Sequence, residues 1–326
     1  GVEKRSKVRS RIVADQLVKL IKEADHVVIM GHRMSDLDAI GAAEGVLRIC
    51  KICDVPAVIA VRRDATLAGS LINALIAAGQ EDDFIDPKGA LPIISQRTLC
   101  IVVDTYQLGL VESREILEKC GKVAVIDHHR KGVGFIEKAD LVCHEPYASS
   151  ASELVTEFLQ YVGDRDDKPN RIEAEGLLSG IMLDTRDFTL HTGVRTFEAA
   201  AALRRYGAET EHVRQLFDVS MVEYTTKARL VSEAQMYRGC AITVSGEVAP
   251  EARVAIAQAA NDLLTIQNVE ASFVAVQVGG GVNISARSLG AVNVQVIMES
   301  LGGGGHQTMA AAQLKHITPE AAHSRI

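Results

Sequence analysis

Aspartate and histidine residues stand at the ends of several predicted secondary-structure elements. Four of them are Asp and two are His: His32, Asp36, Asp38, Asp104, His128 and Asp184. Mixed imidazole and carboxylate ligands suit Mn²⁺, with Mg²⁺ or Co²⁺ as less apt substitutes. Two such cations, roughly 3.5–4 Å apart, can share a hydroxide nucleophile and hold both the attacking and the leaving oxygen of an in-line phosphoryl displacement. The set therefore predicts a centre of two metal ions that hydrolyses a phosphoester.

Some of these residues have a simpler interpretation when each is taken alone. Ser35 and Asp38 form a Ser-x-x-Asp pattern, which can cap a helix. An Asp on an apolar helical pattern, such as Asp184, is often a cap or a paired buried acid. The two histidines that follow Asp127 have no comparable structural explanation, because adjacent imidazoles pack poorly and bury hydrogen-bond donors. The histidine pair is therefore the stronger indication of function.

The elements that must position these residues alternate between short β-branched runs and segments of helical period. This alternation predicts a mainly parallel, doubly wound sheet. In such a sheet the ligand crevice lies beyond the carboxyl ends of the strands, and three of the four runs are followed there by candidate ligands. The four runs are His26–Met30, Val55–Val61, Leu99–Val103 and Val123–Ile126.

The second half of the chain has a different pattern. Between Ser152 and about Arg238 the apolar residues recur at helical spacing and no strand is predicted. Strand patterns then return, and a run of three glycines joins the last two strands as a hairpin. These features predict a second, smaller α/β domain. Its strands are Ala241–Val244, Phe273–Val278 and Val282–Ser285.

Composition limits the classes of function. With 326 residues, 47% of them hydrophobic, the chain is long enough for two domains with separate cores. The net charge of −7 opposes binding to long nucleic acids, and no Trp, six Tyr and seven Phe leave few rings for stacking bases. Six scattered Cys indicate a reducing, cytoplasmic compartment. No uncharged stretch reaches the ~18–20 apolar residues of a membrane span, so no membrane contact is expected from this part of the chain.

The motifs, in their order and separation, resemble those of the DHH phosphoesterase superfamily. The matching motifs are His32-x-x-x-Asp36-x-Asp38, Asp104, Asp127-His128-His129 and Asp184. The tail from Asn293 to His306, which leads into Ala310–Ala312, resembles the Gly-rich motif of the DHH-associated C-terminal domain. The resemblance implies a DHH catalytic domain over residues 1–195, a helical connector over 196–235 and a DHH-associated substrate-binding domain over 236–326. It also implies an active site in the cleft between the two domains.

A narrower resemblance concerns the bacterial cyclic-di-AMP phosphodiesterases. Val2–Arg5 leading into Gly31–Ala43, with Glu145–Ser150 downstream, is similar to the catalytic module of those proteins. Members of that group carry transmembrane helices and regulatory domains before this module. The resemblance therefore implies that the sequence is a fragment of a membrane-anchored protein and that this module lies in the cytoplasm.

The superfamily resemblance also implies a role for each site residue. Asp104 would bridge two metal ions, and His129 would face the substrate phosphate. Asp127 would orient the ligand side chains without itself binding a metal ion. The remaining ligands fall into two groups. They are His32 with Asp36 for one ion, and Asp38 with His128 and Asp184 for the other.

Substrate-binding residues are expected near the C-terminus. A helix that ends near Leu301 and is followed by Gly302, Gly303, Gly304 and Gly305 would expose backbone N–H groups as a nest for an anion. His306 would add a side-chain donor. The alternative for these glycines is an ordinary helix C-cap and turn. Arg287 would place a cation close to the nest, unless it is a solvated surface residue.

The resemblance implies a Mn²⁺-dependent enzyme that opens cyclic di-AMP to 5′-pApA by attack of a bridging hydroxide, with slower cleavage of pApA to AMP. An alternative in the same class is a DHH-type nuclease or phosphatase that acts on short oligoribonucleotides or on 3′-phosphoadenosine 5′-phosphate. A third alternative is a non-catalytic nucleotide sensor, against which the complete set of ligands argues. The sequence leaves the preferred base, the cellular metal and a homodimer open.

Overall fold

The computed structural model describes residues 2–129, 134–218, 220–248, 253–315, 318 and 321. The chain divides into two units, Gly1–Asp218 and Val219–Ile326. This boundary falls inside the 196–235 segment for which the sequence predicts a connector. The predicted limits of the catalytic domain, the connector and the second domain stay predictions.

The first unit is built on a six-stranded sheet in which every pairing is parallel. Its strands are β1 (His26–Met30), β2 (Ala57–Ala60), β3 (Phe84–Ile85), β4 (Thr98–Val103), β5 (Lys122–Asp127) and β6 (Leu141–His144). The strand order is β3-β2-β1-β4-β5-β6, so the direction of winding reverses between β1 and β4. The predicted doubly wound sheet is confirmed. The four predicted strands correspond to β1, β2, β4 and β5, whereas β3 and β6 were not predicted.

Helices cover both faces of this sheet. They are α1 (Val2–Glu23), α2 (Leu37–Ile52), α3 (Gly69–Ala77), α4 (Pro87–Ala90), α5 (Arg114–Lys119), α6 (Ala151–Leu159), α7 (Arg171–Thr185), α8 (Val194–Arg205) and α9 (Thr210–Gln215). Successive strand residues point to opposite faces. On β1, Val27 and Ile29 pack into the core that includes α2, α6 and α7, while Val28 and Met30 pack into the core that includes α5. Burial on both faces explains why the strands are continuous apolar runs.

The second unit has a mixed six-stranded sheet and three described helices. The helices are α10 (Met221–Ser232), α11 (Arg253–Leu263) and α12 (Val294–Ser300). The strands are β7 (Gln235–Tyr237), β8 (Cys240–Glu247), β9 (Ala271–Val278), β10 (Gly281–Ser288), β11 (Gly304–His306) and β12 (Met309–Lys315). Their order is β11-β12-β10-β9-β8-β7, with β8 and β9 parallel and the other pairs antiparallel.

The smaller α/β domain is thus confirmed, as is the hairpin, in which Val278 of β9 pairs with Gly281 of β10. The expectation of no strand before about Arg238 is wrong, because β7 forms there. This strand has three residues and lies at the sheet edge beside β8, so it is too short to show a periodic pattern. Over the described parts of the chain, no helix has both the length and the apolar character needed to cross a membrane.

Candidate metal centre

The predicted ligands of the first unit converge at the carboxyl edge of its sheet. His32 follows β1, Asp104 follows β4 directly, and His128 follows β5 directly. Because β1 and β4 are neighbours where the winding reverses, these residues lie where open α/β sheets form a ligand crevice. Asp184 reaches the same place from the last turn of α7.

The start of α2 supplies the other carboxylates. Asp36 is the N-cap residue, and its Oδ1 accepts hydrogen bonds from the N–H groups of Asp38 (3.0 Å) and Ala39 (3.1 Å). The capping pattern suggested for Ser35 is wrong, because Ser35 Oγ donates to the carbonyl of His32 at 2.6 Å. Asp36 therefore has two structural contacts in addition to its place in the cluster.

The six side chains form two groups that share one residue. In the first group, His32 Nε2 lies 3.4 Å from Asp104 Oδ2 and 3.9 Å from Asp36 Oδ1. In the second group the distances are measured from His128 Nε2. They are 3.0 Å to Asp184 Oδ2, 3.4 Å to Asp104 Oδ1 and 3.8 Å to Asp38 Oδ2. Within each group the potential ligand atoms all lie within 4.8 Å of one another. Each oxygen of Asp104 thus faces a different imidazole.

Asp104 is buried and has an unusual backbone conformation. Its φ of 59° is in the left-handed region, which Asp adopts more readily than most residues and which is often found at functional sites. Asp104 Oδ1 and His128 Nε2 are buried, and although His128 Nε2 lies 3.0 Å from Asp184 Oδ2, neither atom makes a hydrogen bond of normal geometry with a described residue. Because buried polar atoms normally have a partner, and because the donors are carboxylate oxygens and imidazole nitrogens, this site fits a divalent cation.

Burial and crowding shift the pKa values of these groups. Burial, followed by the nearby Asp104 and Asp184 carboxylates, raises the pKa of Asp38 well above its ordinary value. Burial also raises the pKa of Asp184 to about 6, although His128 opposes this shift. Burial favours neutral Asp104 too, but the imidazoles of His128 and His32 outweigh it and hold the pKa of Asp104 below its ordinary value. The raised pKa of Asp38 favours a proton on this carboxylate, which a bound metal ion would displace.

His129 is attached to the cluster through Asp127. Asp127 is fully buried, and its Oδ1 accepts hydrogen bonds from the N–H groups of His128 (2.8 Å) and His129 (3.2 Å). The same oxygen lies 2.7 Å from Nδ1 of His129, whose side chain is 46% exposed. Asp127 therefore fixes the ring of His129. With Asp104 and His128, the two residues also form a third set of possible metal ligands.

The start of α6 adds contacts to this cluster that were not predicted. The N–H groups of Ala151 and Ser152 donate to the Asp38 carboxylate at 2.8 Å each. Ser150 is the N-cap of α6, with its Oγ accepting from the N–H of Glu153 at 3.0 Å. Backbone donors have no residue signature, so no sequence signal could have identified these contacts.

The predicted substrate-binding residues belong to the second unit. The N–H groups of Gly302 and Gly303 donate to the carbonyls of Glu299 (3.0 Å) and Met298 (2.8 Å), which ends α12. Gly304, Gly305 and His306 form β11. Arg287 on β10 is only 9% exposed; its Nε donates to Asn261 Oδ1 at 3.0 Å and its Nη1 to Ser285 Oγ at 3.0 Å. Arg287 is thus not a solvated surface residue.

Comparison with known sequences identifies two domains. Residues 26–181 match the DHH family, N-terminal domain, and residues 248–323 match the DHHA1 domain. The chain is 47% identical over 322 residues to the cyclic-di-AMP phosphodiesterase GdpP of Geobacillus thermodenitrificans, covering 97% of this chain and 49% of that protein. It is 42% identical over 322 residues to the cyclic-di-AMP phosphodiesterase PdeA of Listeria monocytogenes, with the same coverage of 97% and 49%. The chain spans about half the length of these curated relatives.

The fold is also similar to a solved structure. The crystal structure of an exopolyphosphatase-related protein from Bacteroides fragilis matches with a TM-score of 0.80 at 20% identity, over 96% of this chain and 94% of that chain. At this identity the likeness concerns the fold alone. The resemblance predicted from the motifs is confirmed by the two matched domains. The first unit therefore contains a DHH family, N-terminal domain and the second unit contains a DHHA1 domain.

Proposed function

We propose that this chain is a metal-dependent phosphodiesterase that hydrolyses cyclic di-AMP to 5′-pApA, with slower cleavage of pApA to AMP. The observation that carries the proposal is the position of Asp104, whose two carboxylate oxygens each belong to a separate group of ligand side chains. The proposed substrate is supported by two relatives that are named cyclic-di-AMP phosphodiesterases and that align with nearly all of this chain.

In this proposal each group of side chains holds one Mn²⁺, with Mg²⁺ or Co²⁺ as possible substitutes, and Asp104 contributes to both. The other ligands are His32 with Asp36, and Asp38 with His128 and Asp184. When bound, the ions supply Lewis-acid activation of water and neutralise charge on the phosphate. Since imidazole must be deprotonated to bind a metal, uptake of the ions releases protons.

His129 is the proposed donor to the substrate phosphate. Its ring is fixed by Asp127 but is partly exposed, so it can reach a ligand outside the protein. Burial lowers the pKa of His129, but Asp127 and Asp104 outweigh this effect and the pKa is raised overall. The charged imidazole would donate a hydrogen bond to a phosphate oxygen as negative charge develops on it. Asp127 would keep that donor in place.

The second unit is the proposed site of nucleotide binding, through Arg287, His306 and the four glycines from Gly302 to Gly305. The register supports this grouping, because Arg287 and His306 both pair with Met309 of β12 and so lie at one level of the sheet. A side chain at Gly303 would begin 2.1 Å from the carbonyl oxygen of Ala311. Only glycine permits this close approach of the backbone at position 303 to β12, which keeps the four glycines against the sheet.

Free thiols support the proposal that the chain acts in the cytoplasm. All six cysteines are free, which is typical of a reducing compartment. Anchoring of a longer protein to a membrane, with this module in the cytoplasm, is part of the same proposal.

One parallel product analysis tests the function. The protein is incubated with Mn²⁺ and equal concentrations of cyclic di-AMP, cyclic di-GMP, pApA, a short oligoribonucleotide and 3′-phosphoadenosine 5′-phosphate, and products are resolved by chromatography. We expect cyclic di-AMP to be cleaved fastest, with pApA as the first product and no cleavage in EDTA. Faster cleavage of the oligoribonucleotide or of 3′-phosphoadenosine 5′-phosphate would favour the nuclease or phosphatase alternative. Binding of cyclic di-AMP without cleavage would favour the sensor.

A further inference from the structure

The Asp38 carboxylate is held by a helix that is distant in sequence. Asp38 lies in the first turn of α2 and is fully buried. Its Oδ2 accepts a hydrogen bond from the N–H of Ala151 and its Oδ1 accepts one from the N–H of Ser152, both at 2.8 Å. These residues are the first two of α6, so the carboxylate also lies at the positive end of a helix dipole. Each oxygen retains a second lone pair for another partner.

A third helix limits the space beside the same carboxylate. A Cβ atom added at Gly180 of α7 would lie 2.7 Å from Asp38 Oδ1, 2.8 Å from Asp38 Cα and 2.3 Å from Ser152 Oγ. Two of these three atoms belong to Asp38. Ser152 is itself fully buried, and its Oγ donates to the carbonyl oxygen of Asp38 at 3.3 Å. Any side chain at position 180 would therefore displace Asp38, Ser152 or both.

This arrangement connects two of the proposed ligands. Gly180 and Asp184 both lie on α7, one turn apart, so the helix that leaves room for Asp38 also carries Asp184. The two carboxylates approach the same atom, His128 Nε2, at 3.8 Å from Asp38 Oδ2 and 3.0 Å from Asp184 Oδ2. A displaced Asp38 carboxylate would disturb this group directly, whereas the group of His32 and Asp36 meets Asp38 through the hydrogen bond from the Asp38 N–H to Asp36 Oδ1.

We propose that Ala151, Ser152 and Gly180 are positioning residues for one of the two metal sites. The backbone N–H groups of Ala151 and Ser152 orient the Asp38 carboxylate, and the missing side chain of Gly180 gives it room. We expect their effect to be greatest at the site of Asp38, His128 and Asp184, because it is the Asp38 carboxylate that they hold. This inference rests on the proposed metal centre, but it makes its own claim about which ion depends on which residues.

Two variants on different helices test the claim. Gly180→Ala places the Cβ against Asp38. Ala151→Pro removes the N–H that donates to Asp38 Oδ2, while proline is favoured at the first position of a helix. The preceding Ser150 already has the extended backbone, with φ −163° and ψ 163°, that suits a residue before proline. If one variant does not fold, the other still tests the same carboxylate.

Two control variants change the packing of the same helices at positions that do not contact Asp38. Gly176→Ala lies one turn earlier on α7, and its Cβ would lie 3.2 and 3.4 Å from the two terminal carbons of Leu71 and 3.9 Å from Gly41 Cα. Gly45→Ala on α2 would place a Cβ 2.5 Å from Val155 Cγ1 and 3.0 Å from Leu177 Cδ2, side-chain atoms of α6 and α7. Gly45→Ala therefore strains the same three helices without contacting the carboxylate.

The readout is Mn²⁺ titration by calorimetry, with urea unfolding to measure stability. We expect the wild-type chain and both controls to bind two ions, even though Gly45→Ala is less stable. We expect Gly180→Ala and Ala151→Pro to bind one ion normally and the other roughly 10–100-fold more weakly, as is typical when groups supporting a ligand are lost. Wild-type affinity for both ions in a folded Gly180→Ala or Ala151→Pro variant would overturn the proposal. Equal weakening of one ion in Gly45→Ala would also overturn it, because general strain would then explain the effect.

This titration is independent of catalysis. A wild-type chain that binds two ions but does not cleave cyclic di-AMP would contradict the proposed activity and leave the positioning claim testable. A wild-type chain that binds no ion would contradict both. Cleavage of cyclic di-AMP together with unchanged metal binding in the two variants would contradict the positioning claim alone.

Discussion

Oδ1 of Asp104 lies 3.4 Å from Nε2 of His128, and both atoms are buried without making a hydrogen bond of normal geometry to any described residue. The other oxygen of Asp104 lies 3.4 Å from Nε2 of His32. One carboxylate thus separates two imidazoles that belong to different strand ends. A residue in this position can contribute to both groups of ligand side chains, so its loss should weaken metal binding by both groups.

Replacement of Asp104 tests this relationship. Asp104→Asn keeps the size of the side chain but removes its charge, so we expect the affinity for both metal ions to fall by more than ~10–100-fold, the effect typical of an outer-shell change. Hydrolysis of cyclic di-AMP should fall below detection at low Mn²⁺. Calorimetric titration measures the affinities, with Asp15→Asn, an exposed change on α1, as control. Loss of only one ion would show that Asp104 belongs to one site.

Substitutions of the adjacent histidines His128 and His129 should have different effects on metal binding. His128→Ala removes the nitrogen that faces Asp38, Asp104 and Asp184. We therefore expect the ion at this group of side chains to bind more weakly and the rate of hydrolysis to fall with it. Calorimetric titration and steady-state kinetics at several Mn²⁺ concentrations provide the test. Two ions bound at wild-type affinity would contradict the role of His128 as a ligand.

The His129→Ala variant should bind both metal ions but hydrolyse cyclic di-AMP more slowly than the wild type. If His129 donates to the phosphate as charge develops, its loss should lower kcat by roughly 10²–10³-fold, as for other single preorganised donors. Asp127→Asn, which disturbs the 2.7 Å contact that fixes the ring, should produce a smaller decrease. Titration and kinetics are again measured on the same samples. One ion fewer in His129→Ala would instead assign it to the third set of possible ligands.

Asp38 and Asp184 should respond differently to the same substitution. Both oxygens of Asp38 accept a backbone hydrogen bond, so Asp38→Asn must direct its NH₂ group at an N–H donor. We expect this variant to lose roughly 1–3 kcal/mol of unfolding free energy. Asp184→Asn should lose less, since none of the described backbone N–H groups is shown donating to Asp184 and its side chain is 22% exposed. Urea unfolding in EDTA separates this effect from metal binding, and equal losses would contradict it.

A buried acid outside the metal centre predicts how stability depends on pH. Glu44 on α2 is buried, and neither of its carboxylate oxygens has a hydrogen-bond partner among the described residues. Burial, with Asp83 and Glu173 nearby, raises the pKa of Glu44 from 4.5 to about 8. The folded chain therefore keeps a proton that the unfolded chain loses. Stability from this group is complete below about pH 4.5 and is lost as pH rises through about 8.

Glu44→Gln should remove this pH dependence. The neutral side chain has a similar shape, so we expect wild-type stability near pH 5 and greater stability than the wild type above pH 8, by an amount on the order of a few kcal/mol. Urea unfolding at a series of pH values measures the difference, with Glu118→Gln, an exposed change on α5, as control. Parallel pH profiles for Glu44→Gln and the wild type would show that Glu44 ionises normally.

The metal cluster could be predicted from sequence because its ligands follow recognisable elements. The apolar runs of β1, β4 and β5 are long enough to show a pattern, and His32, Asp104 and His128 stand at their carboxyl ends. Parallel strands bring those ends to one edge. Strands β3, β6, β7 and β11 were not predicted, because each has only two to four residues and lies in no longer apolar run, which provides too little periodicity. The seven-residue β12 was not predicted either, because its alanine-rich sequence does not alternate between apolar and polar residues.

The support of Asp38 could not be predicted for a different reason. The N–H group of Ala151 is 113 residues from Asp38 in sequence, and a backbone donor has no residue type that marks it. The role of Gly180 depends on how closely three helices approach one another, a property of packing that no local pattern contains.

The most direct test of the dinuclear centre is anomalous X-ray scattering from crystals of the protein grown with Mn²⁺. A dinuclear centre should give two anomalous peaks roughly 3.5–4 Å apart, one beside His32 and Asp36 and the other beside Asp38, His128 and Asp184, with Asp104 contacting both. A single peak, or a peak held by Asp127 and His129, would contradict it.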